Sequence, residues 1–276
     1  MDPGDESRCS EAYLHRPWVE ANCWGVATPR ALRGGAGIHS YAMTDSSQNP
    51  LRVFITGGTR GIGRAIALRF AREGAMVAVA ARTSSDLDAI VSEIDAAGGQ
   101  GDACQTNMRD HGSVEAAVFR AVDFFEGTTD IVVNCAGLVE FKAFDELAVD
   151  DWERALAVHL TGPFLVMAEV LPSLRESERA HVFNIGAGLA GEPGPGQSLM
   201  ATSKAGLEGM SRGLRADLGP EGVRVTTVLP GYVDTPGLEP WKETLGGAAV
   251  TSPAAVADAL WDAYQAEAAP DEISIR

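Results

Sequence analysis

A glycine-rich segment between a short hydrophobic stretch and an amphipathic one constrains the fold of this chain more than any other feature. Its sequence is Thr56-Gly57-Gly58-Thr59-Arg60-Gly61-Ile62-Gly63, and the β-branched and aromatic residues 52–56 predict a strand immediately before it. In this position Gly57 can make a sharp turn, Gly61 lets backbone approach a pyrophosphate, and Gly63 permits close helix–strand packing. The N-terminus of the helix that follows would add free N–H groups and a positive dipole end. The segment therefore predicts a phosphate-binding loop.

Strands and helices alternate along the rest of the chain. The pattern predicts strands at 52–56, 76–81, 100–105, 130–134, 181–185, 223–229 and 272–276. It predicts helices at 63–73, 86–97, 114–126, from 151 onward, 203–218 and 253–266. We expect Asp150 and Glu153 to form a capping box at the fourth helix. The alternation implies right-handed crossovers and an α/β fold, a Rossmann-like doubly wound parallel sheet in a single domain over 51–276.

Residues 1–50 differ from this pattern. They mix tryptophan with proline, glycine and serine and show no clear periodicity. Met43 offers an alternative start shortly before the first strand. We interpret residues 1–50 as a disordered N-terminal extension or a mis-assigned start. This interpretation applies chiefly to residues 1–42. A partner-binding arm is the alternative.

Composition excludes several classes of partner. The net charge is −16, whereas nucleic acids and anionic membranes attract basic surfaces, so we expect neither as a partner. The four cysteines form no Cys-x-x-Cys pair, which argues against a metal site or a disulfide framework and fits a reducing cytoplasm. We find no apolar run near the roughly 20 residues that span a bilayer. A secretory signal is not expected either, because the N-terminus has no continuous apolar region.

The end of the second strand indicates which dinucleotide the loop would bind. An acidic residue there would bind the 2′-hydroxyl of NAD. The chain has Ala80-Ala81-Arg82 instead, with no carboxylate before Asp86. Arg82, together with Arg60 of the loop, can pair with the 2′-phosphate of NADP. Two solvated surface arginines are the alternative interpretation. We predict NADP, with NAD less favoured.

Two further motifs give the chain a family resemblance from Leu51 to Arg276. Val133-Asn134-Cys135-Ala136-Gly137 and Pro230-Gly231-Tyr232-Val233-Asp234-Thr235, with the glycine-rich loop, resemble the N-N-A-G, P-G-x-x-x-T and T-G-x-x-x-G-x-G motifs of the short-chain dehydrogenase/reductase family. The resemblance implies a small-molecule substrate and a nicotinamide cofactor. The cofactor residues that it implies are Gly57, Thr59, Arg60, Gly61, Ile62, Gly63, Arg82, Asn134, Ala136, Gly137, Lys204, Pro230, Gly231, Val233 and Thr235.

The resemblance also implies a homodimer or homotetramer, because the family usually associates through its long central helices. Apolar and small residues on the corresponding helices of this chain would permit such an interface. They are Ala155, Ala157, Phe164, Leu207 and Met210.

The catalytic residues that the family would place in this fold are mostly absent, so the catalytic tetrad is degenerate. Of the tyrosine, lysine, serine and asparagine, only the lysine is present, as Lys204. Met200 occupies the tyrosine position, Ala187 the serine position and His159 the asparagine position. Methionine and alanine donate no proton or hydrogen bond. Loss of a positioned general acid removes about 10²–10⁴-fold in rate, so ordinary carbonyl reduction requires a substitute.

His159 is the first candidate for that substitute, and with Lys204 it forms our predicted catalytic pair. Trp152, Leu156 and His159 are spaced as one inward helical stripe, and imidazole can give or take a proton near neutral pH. The alternative is a buried histidine that is hydrogen-bonded to backbone. For Cys135, a small residue that fills a turn is the simpler interpretation, and a nucleophile is the alternative.

Two other positions bear on the missing donor. Tyr232 can face the substrate, although packing is the simpler interpretation of this side chain. Some enoyl-thioester reductases of the family carry methionine four residues before the lysine and tyrosine seven before it. Here the latter position is Gln197, so the chain meets only half of that arrangement.

Three functional interpretations follow. The first is an NADP-dependent oxidoreductase that acts on a small carbonyl or enone with a non-standard proton donor, His159 or water. The second is a non-redox enzyme, such as a cyclase, isomerase or dehydratase, that uses His159 and Lys204 as acid and base. The third is a catalytically silent nucleotide-binding partner subunit.

Overall fold

The computed structural model describes residues 49–275. The predictions for residues 1–48 lie outside these residues. The helices are α1 Gly61–Ala71, α2 Ser84–Ala96, α3 His111–Phe124, α4 Val149–Leu156, α5 Gly162–Arg175, α6 Ser198–Leu218 and α7 Pro253–Gln265. The strands are β1 Arg52–Thr56, β2 Met76–Ala81, β3 Gln100–Gln105, β4 Ile131–Asn134, β5 His181–Ile185, β6 Arg224–Pro230, β7 Tyr232–Val233, β8 Val250–Thr251 and β9 Glu272–Ile275.

Seven parallel strands form one sheet in the order β3-β2-β1-β4-β5-β6-β9. Side chains of β1 alternate between the two faces of this sheet, because successive residues of a strand point in opposite directions. Val53 and Ile55 join a core with α1, α2 and α7, and Phe54 joins a second core with α3 and α5. The predicted Rossmann-like α/β fold is therefore confirmed. Strand order reverses between β1 and β4, where such folds bind ligands.

Five helices begin two to five residues earlier than predicted, and two of these differences affect the site. Helix α6 begins at Ser198, five residues earlier than predicted. Helix α4 begins at Val149, so Asp150 lies inside the helix and is not its cap. Asp151 performs part of the capping instead, since its Oδ2 accepts the N–H of Ala148 at 3.0 Å.

A single π-helical turn, Ala157–Thr161, joins α4 to α5 and changes which side chains face inward. The predicted stripe through Trp152 was wrong, since Trp152 is 37% exposed. The buried side chains are those of Asp151, Ala155 and His159. Successive members of this set are four positions apart, close to the 3.6-residue period of an α-helix, so they share one face that does not include Trp152.

The stretch from α4 to α5, Val149–Arg175, is long and apolar enough to cross a membrane by length and composition alone, so the prediction that no such apolar run exists was wrong. Core helices of water-soluble proteins pass the same test. In this fold α5 buries Val166, Val170 and Leu174 in the core that it shares with α3.

The residues expected at a subunit interface differ in their exposure to solvent. Ala155 and Leu207 lie in the chain's own interior, whereas Phe164 is 58% exposed.

Candidate active site

A cavity of about 390 Å³ opens at the carboxyl ends of the parallel strands. Its lining comes from the segments that follow β1, β2, β3, β4, β5 and β6, together with α6. All of the sequence-predicted cofactor residues line this cavity except Asn134. The sheet thus brings together residues that are up to 178 positions apart, from Gly57 to Thr235, in one concave site.

Backbone packing builds one end of the cavity. Gly57 has a φ of +69°, and a Cβ on it would lie 2.7 Å from the Cα of Ala136. Gly61 has a φ of +56°, and its Cβ would lie 3.1 Å from Cγ2 of Thr235. The loop after β1 therefore tolerates only glycine where it meets the loops after β4 and β6.

The hydroxyl of Thr56 holds the loop after β4 in place. Its Oγ1 accepts the N–H groups of Cys135 and Ala136, both at 3.1 Å. Helix α1 begins just beyond, and neither a side-chain cap nor an acidic residue is present in its first turn. The backbone N–H groups of Gly61 and Ile62 therefore remain available to an anionic group in the cavity, whereas the N–H of Gly63 faces the thiol of Cys135.

Asn134 does not line the cavity, which differs from its predicted role as a cofactor residue. Its side chain is buried, and its Nδ2 donates to Oδ1 of Asn184 at 2.8 Å. Nδ2 of Asn184 donates in turn to Oγ of Ser211. This chain of bonds ties β4 to β5 and to α6. Asn134 therefore supports the site from below.

Lys204 is buried at the other end of the cavity. Its side chain projects from α6, and its Nζ donates to the carbonyl oxygen of Ile185 at 2.7 Å. Burial lowers the pKa of Lys204 to about 8, and the nearby thiol of Cys135 opposes this shift slightly. The ammonium form still predominates at neutral pH. Lys204 is therefore a cation held at the inner wall, close to the carboxyl end of β5.

Met200 and Ala187 line the cavity together with Lys204. They occupy the positions at which the family resemblance would place a tyrosine and a serine. A thioether and a methyl group can shape this surface, but neither can donate a hydrogen bond to a bound molecule. The predicted degeneracy is thus located at the cavity wall itself.

His159 lies behind the wall and is almost completely buried. Its Nε2 accepts the N–H of Leu138 at 3.0 Å, so the ring hydrogen is on Nδ1, which donates to Oγ of Ser203 at 2.9 Å. Oγ of Ser203 donates to the carbonyl of Met200. Burial, with the charge of Lys204, lowers the pKa of His159 to about 3. The imidazole is neutral at pH 7, and both of its nitrogens are hydrogen-bonded within the fold.

Cys135 is half-buried between the cavity and α1. Burial raises the pKa of its thiol to about 11, although Lys204 and the N–H of Gly63 act in the opposite direction. A thiol that remains protonated is a weak nucleophile. The geometry therefore agrees with the packing interpretation of Cys135.

Several lining residues escaped the sequence analysis. Thr106, Asn107 and Met108 follow β3, and their position after a parallel strand was the signal that could have identified them. Arg154 also lines the cavity, and its Nη2 donates to carboxylates of Glu140 at 2.7 Å and Asp151 at 2.9 Å. The sequence pattern contains no signal for Arg154, since the chain positions of these three residues do not reveal their contact.

Tyr232 and Gln197 form a hydrogen-bonded pair beside Met200. Tyr232 lines the cavity, and its hydroxyl oxygen accepts Nε2–H of Gln197 at 2.9 Å. Oε1 of Gln197 accepts the N–H of Gly194 at 2.8 Å, which determines the orientation of the amide. This hydrogen bond places the Tyr232 phenol at the start of α6, at the residue three positions before Met200.

Comparison with known proteins agrees with this geometry. The family model for short chain dehydrogenase matches residues 52–246. The chain belongs to this family. The short-chain reductase protein NovJ of Streptomyces niveus is 36% identical over 193 residues, which cover 70% of this chain and 73% of that protein. The (3R)-3-hydroxyacyl-CoA dehydrogenase of Canis lupus familiaris is 35% identical over 201 residues, 68% of this chain and 78% of that protein.

Solved structures show the same fold with nucleotide bound. A short chain dehydrogenase from Burkholderia cenocepacia in complex with NADP aligns with a TM-score of 0.71 at 30% identity, covering 82% of this chain and 96% of that one. The relatives are named reductases and dehydrogenases, and this chain is an oxidoreductase of their family. Between residues 49 and 275, three or more His, Cys, Asp or Glu side chains nowhere converge to hold a metal ion.

Proposed function

We propose that this short-chain dehydrogenase is an NADP-dependent oxidoreductase that acts on a small carbonyl compound or activated alkene and uses a non-standard proton donor. One observation carries the proposal: the glycine-rich loop and Lys204 line the same cavity. The loop and the uncapped end of α1 suit a pyrophosphate, and a nicotinamide nucleotide bound there would supply the hydride. Lys204 would hold the nicotinamide ribose, and the remaining space beside Met200 and Ala187 would receive the substrate.

Two arginines support NADP over NAD. Arg60 and Arg82 are exposed and line the cavity. A guanidinium pairs well with a 2′-phosphate, whereas a 2′-hydroxyl calls for a carboxylate at the end of β2. Asp86 also lines the cavity, but it lies on α2, beyond that strand end. The NADP bound to the Burkholderia cenocepacia relative supports the same choice.

The composition of the wall around Lys204 supports a substrate that is mostly apolar. Carbon-rich side chains surround this end, and few of them can bind a charged or highly hydroxylated molecule. A compact ketone, aldehyde or enone fits this environment. The residues concerned are Leu138, Val139, Phe141, Val158, Leu189, Met200 and Leu238.

We assign His159 a positioning role in this reaction. A proton donor must reach the substrate oxygen, whereas both nitrogens of His159 are engaged by Leu138 and Ser203. Its hydrogen bonds join the loop after β4 to helix α6. His159 therefore positions the segments that carry Leu138 and Met200, and the proton comes from another group or from water.

A second candidate function is a nucleotide-binding partner subunit without turnover. The observation that favours it is the pair Met200 and Ala187, which offers no donor where the family has two. We also propose a homodimer or homotetramer in the cytoplasm. The exposed Phe119 and Phe164 on α3 and α5 support self-association, and the free thiols of Cys104 and Cys135 fit a reducing compartment.

The deciding experiment is a fluorescence titration of NADPH and NADH into the full chain, followed by a panel of small ketones, aldehydes and enones. Tighter binding of NADPH, with its oxidation in the presence of a panel member, is the expected result. Binding of NADPH without turnover of any panel compound would favour the silent subunit. Failure to bind either nucleotide would refute both candidates.

A further inference from the structure

The cavity needs a proton donor, and few of its hydroxyl groups are placed to act as one. Thr59 belongs to the glycine-rich loop, and Thr235 packs over Gly61. Thr106 follows β3, and its hydroxyl already donates to the carbonyl of Ser113 at 2.9 Å. Thr83 follows β2 on the same side of the sheet as Arg82. None of these four residues lies on α6 or in the segment that is hydrogen-bonded to its first residues.

Tyr232 is placed differently. Its hydroxyl meets Gln197, which caps α6 three residues before Met200, and the carbonyl of Gln197 accepts the N–H of Ala201 at 2.8 Å. Tyr232 and Met200 both line the cavity. The segment after β6 therefore places the Tyr232 phenol at the first turn of α6. Met200, in this turn, occupies the position of the family tyrosine.

The backbone around Tyr232 is held on two sides. Tyr232 pairs with Val250 in the small sheet of β7 and β8, and the N–H of the preceding Gly231 donates to the carbonyl of Ile275 at 2.8 Å. These bonds limit the movement of the phenol ring. A donor that is already positioned loses less conformational entropy when the substrate binds.

The bond from Gln197 sets the direction in which Tyr232 can donate. The amide of Gln197 cannot turn over without losing the N–H of Gly194, so its Nε2 faces Tyr232 and donates. The phenol oxygen is consequently an acceptor in this pair. Among residues 49–275, no acceptor takes the hydrogen of the Tyr232 hydroxyl itself, which leaves that hydrogen for a molecule in the cavity. An N–H on the phenol oxygen also stabilises negative charge there after the proton leaves.

We propose that Tyr232 is the catalytic proton donor of this protein and that Gln197 is its positioning residue. The proposal rests on the proposed oxidoreductase function. A reduced nicotinamide nucleotide bound in the cavity would supply the hydride that forms the new C–H bond as the C=O π bond breaks. The Tyr232 hydroxyl transfers its proton to the carbonyl oxygen to form the alcohol. The phenolate then recovers a proton from water, and the products are an alcohol and the oxidised nucleotide.

Turnover tests this proposal with Tyr232→Phe and the matched control Tyr264→Phe, which removes a hydroxyl from the aromatic cluster around Phe70. We expect Tyr232→Phe to lower kcat about 10²–10³-fold, with KM changed by less than about threefold, because the donor acts in the transition state. Tyr264→Phe should stay within about twofold of wild type, since Tyr264 does not line the cavity. Equal kcat in wild type and Tyr232→Phe would overturn the proposal.

Adding a tyrosine back distinguishes proton donation from a structural role. Met200→Tyr returns a phenol to the position four residues before Lys204. In that background Tyr232→Phe should cost less than about threefold, because two groups that perform the same step are not additive. An undiminished loss in the double variant would mean that Tyr232 acts in some way other than proton donation.

Gln197→Glu tests the positioning role through pH. The ionised carboxylate can only accept, so it would take the hydrogen of Tyr232 and withdraw it from the cavity. We expect kcat to fall at neutral pH and to recover at acidic pH, where a protonated glutamic acid can donate again. Gln197→Leu should be impaired without this recovery. Identical pH profiles of the two variants would refute the assigned role of Gln197.

Binding of 4-nitrophenolate separates this inference from the proposed function, since it requires no turnover. The probe's oxyanion imitates a substrate oxygen that accepts the Tyr232 proton. We expect Tyr232→Phe to weaken binding by about tenfold or more, in keeping with loss of one charge-assisted hydrogen bond, both with and without NADP. If wild type reduces no panel compound but binds the probe in this way, the oxidoreductase proposal and the catalytic role fail, whereas Tyr232 remains the hydrogen-bond donor of the cavity. Probe affinity that is independent of Tyr232 overturns the donor assignment, whatever the turnover.

Discussion

The two ends of the cavity are built from different parts of the chain. At the end that carries the glycine-rich loop, the proposed nucleotide end, backbone is closely packed: Gly57 approaches the backbone of Ala136, and Gly61 approaches the side chain of Thr235. At the other end, side chains form the site, and Met200 and Ala187 stand where the family has hydroxyl groups. A site made of backbone restricts the residues at each position, whereas a site made of side chains can change its chemistry while the fold remains. This explains how one cavity can combine a loop that matches the family motif with a second end whose side chains differ from it.

The sharpest test of this comparison is Gly57→Ala, for which we expect the largest effect. The new Cβ would lie 2.7 Å from Cα of Ala136, and the φ of +69° is unfavourable for alanine. The free energy of unfolding should fall by about 2–4 kcal/mol from overpacking and backbone strain. We expect NADPH binding to be lost as well, because the loop must shift.

Gly213→Ala is the matched control for Gly57→Ala. Gly213 lies in α6, and a Cβ there meets open space. This variant should gain about 0.5–1 kcal/mol in the free energy of unfolding and bind NADPH normally. Urea unfolding and fluorescence titration measure both quantities. A stable, nucleotide-binding Gly57→Ala variant would contradict the backbone-packing account.

Lys204→Ala tests the residue that connects the two ends. Loss of a charged hydrogen-bond donor should weaken binding of NADPH and NADH alike by about 10–100-fold. Because the pKa of Lys204 is lowered to about 8, the side chain loses its charge above that pH. Wild-type affinity should therefore decline as the pH rises above about 8, and the variant should lack this decline. Isothermal titration at several pH values measures both effects, and equal affinities at every pH would remove Lys204 from the nucleotide site.

His159→Asn tests, through the free energy of unfolding, the end of the cavity where the family's catalytic residues are replaced. The folded pKa of about 3 lies below the ordinary value of 6.5, so the unfolded chain binds more protons between these values. The free energy of unfolding falls as the pH is lowered through this window. Between about pH 7 and pH 5, His159 should contribute a loss of about 2 kcal/mol.

The measurement is urea unfolding of wild type and His159→Asn at these two pH values. His181, whose pKa burial also lowers to about 3, contributes equally to both proteins. The asparagine variant should therefore show the smaller loss. If both proteins lose the same stability, His159 is not the buried neutral group that its hydrogen bonds indicate.

The sequence was sufficient for the fold and for the residues that line the glycine-rich end of the cavity. Glycine spacing and strand–helix alternation are local patterns, and β3 and β5 were predicted at their observed bounds, Gln100–Gln105 and His181–Ile185. The π turn before α5 left no such pattern, so the stripe through Trp152 was wrong.

The pair formed by Gln197 and Tyr232 could not be inferred either, since 35 residues separate them and their contact depends on how the loop after β5 meets the segment after β6. Local spacing cannot report contacts between side chains that come from different strands.

Arg82→Ala has the smallest expected effect and tests the choice of nucleotide. Arg82 is exposed at the cavity edge, where solvent weakens its interaction with a phosphate. We expect the variant to bind NADPH about tenfold more weakly and NADH with unchanged affinity, because only NADPH carries the 2′-phosphate. Arg60→Ala should show the same selectivity if the two arginines share that phosphate. Equal losses for both nucleotides would mean that Arg82 acts on a part common to them, and the backbone-built end would then recognise the dinucleotide without selecting NADP.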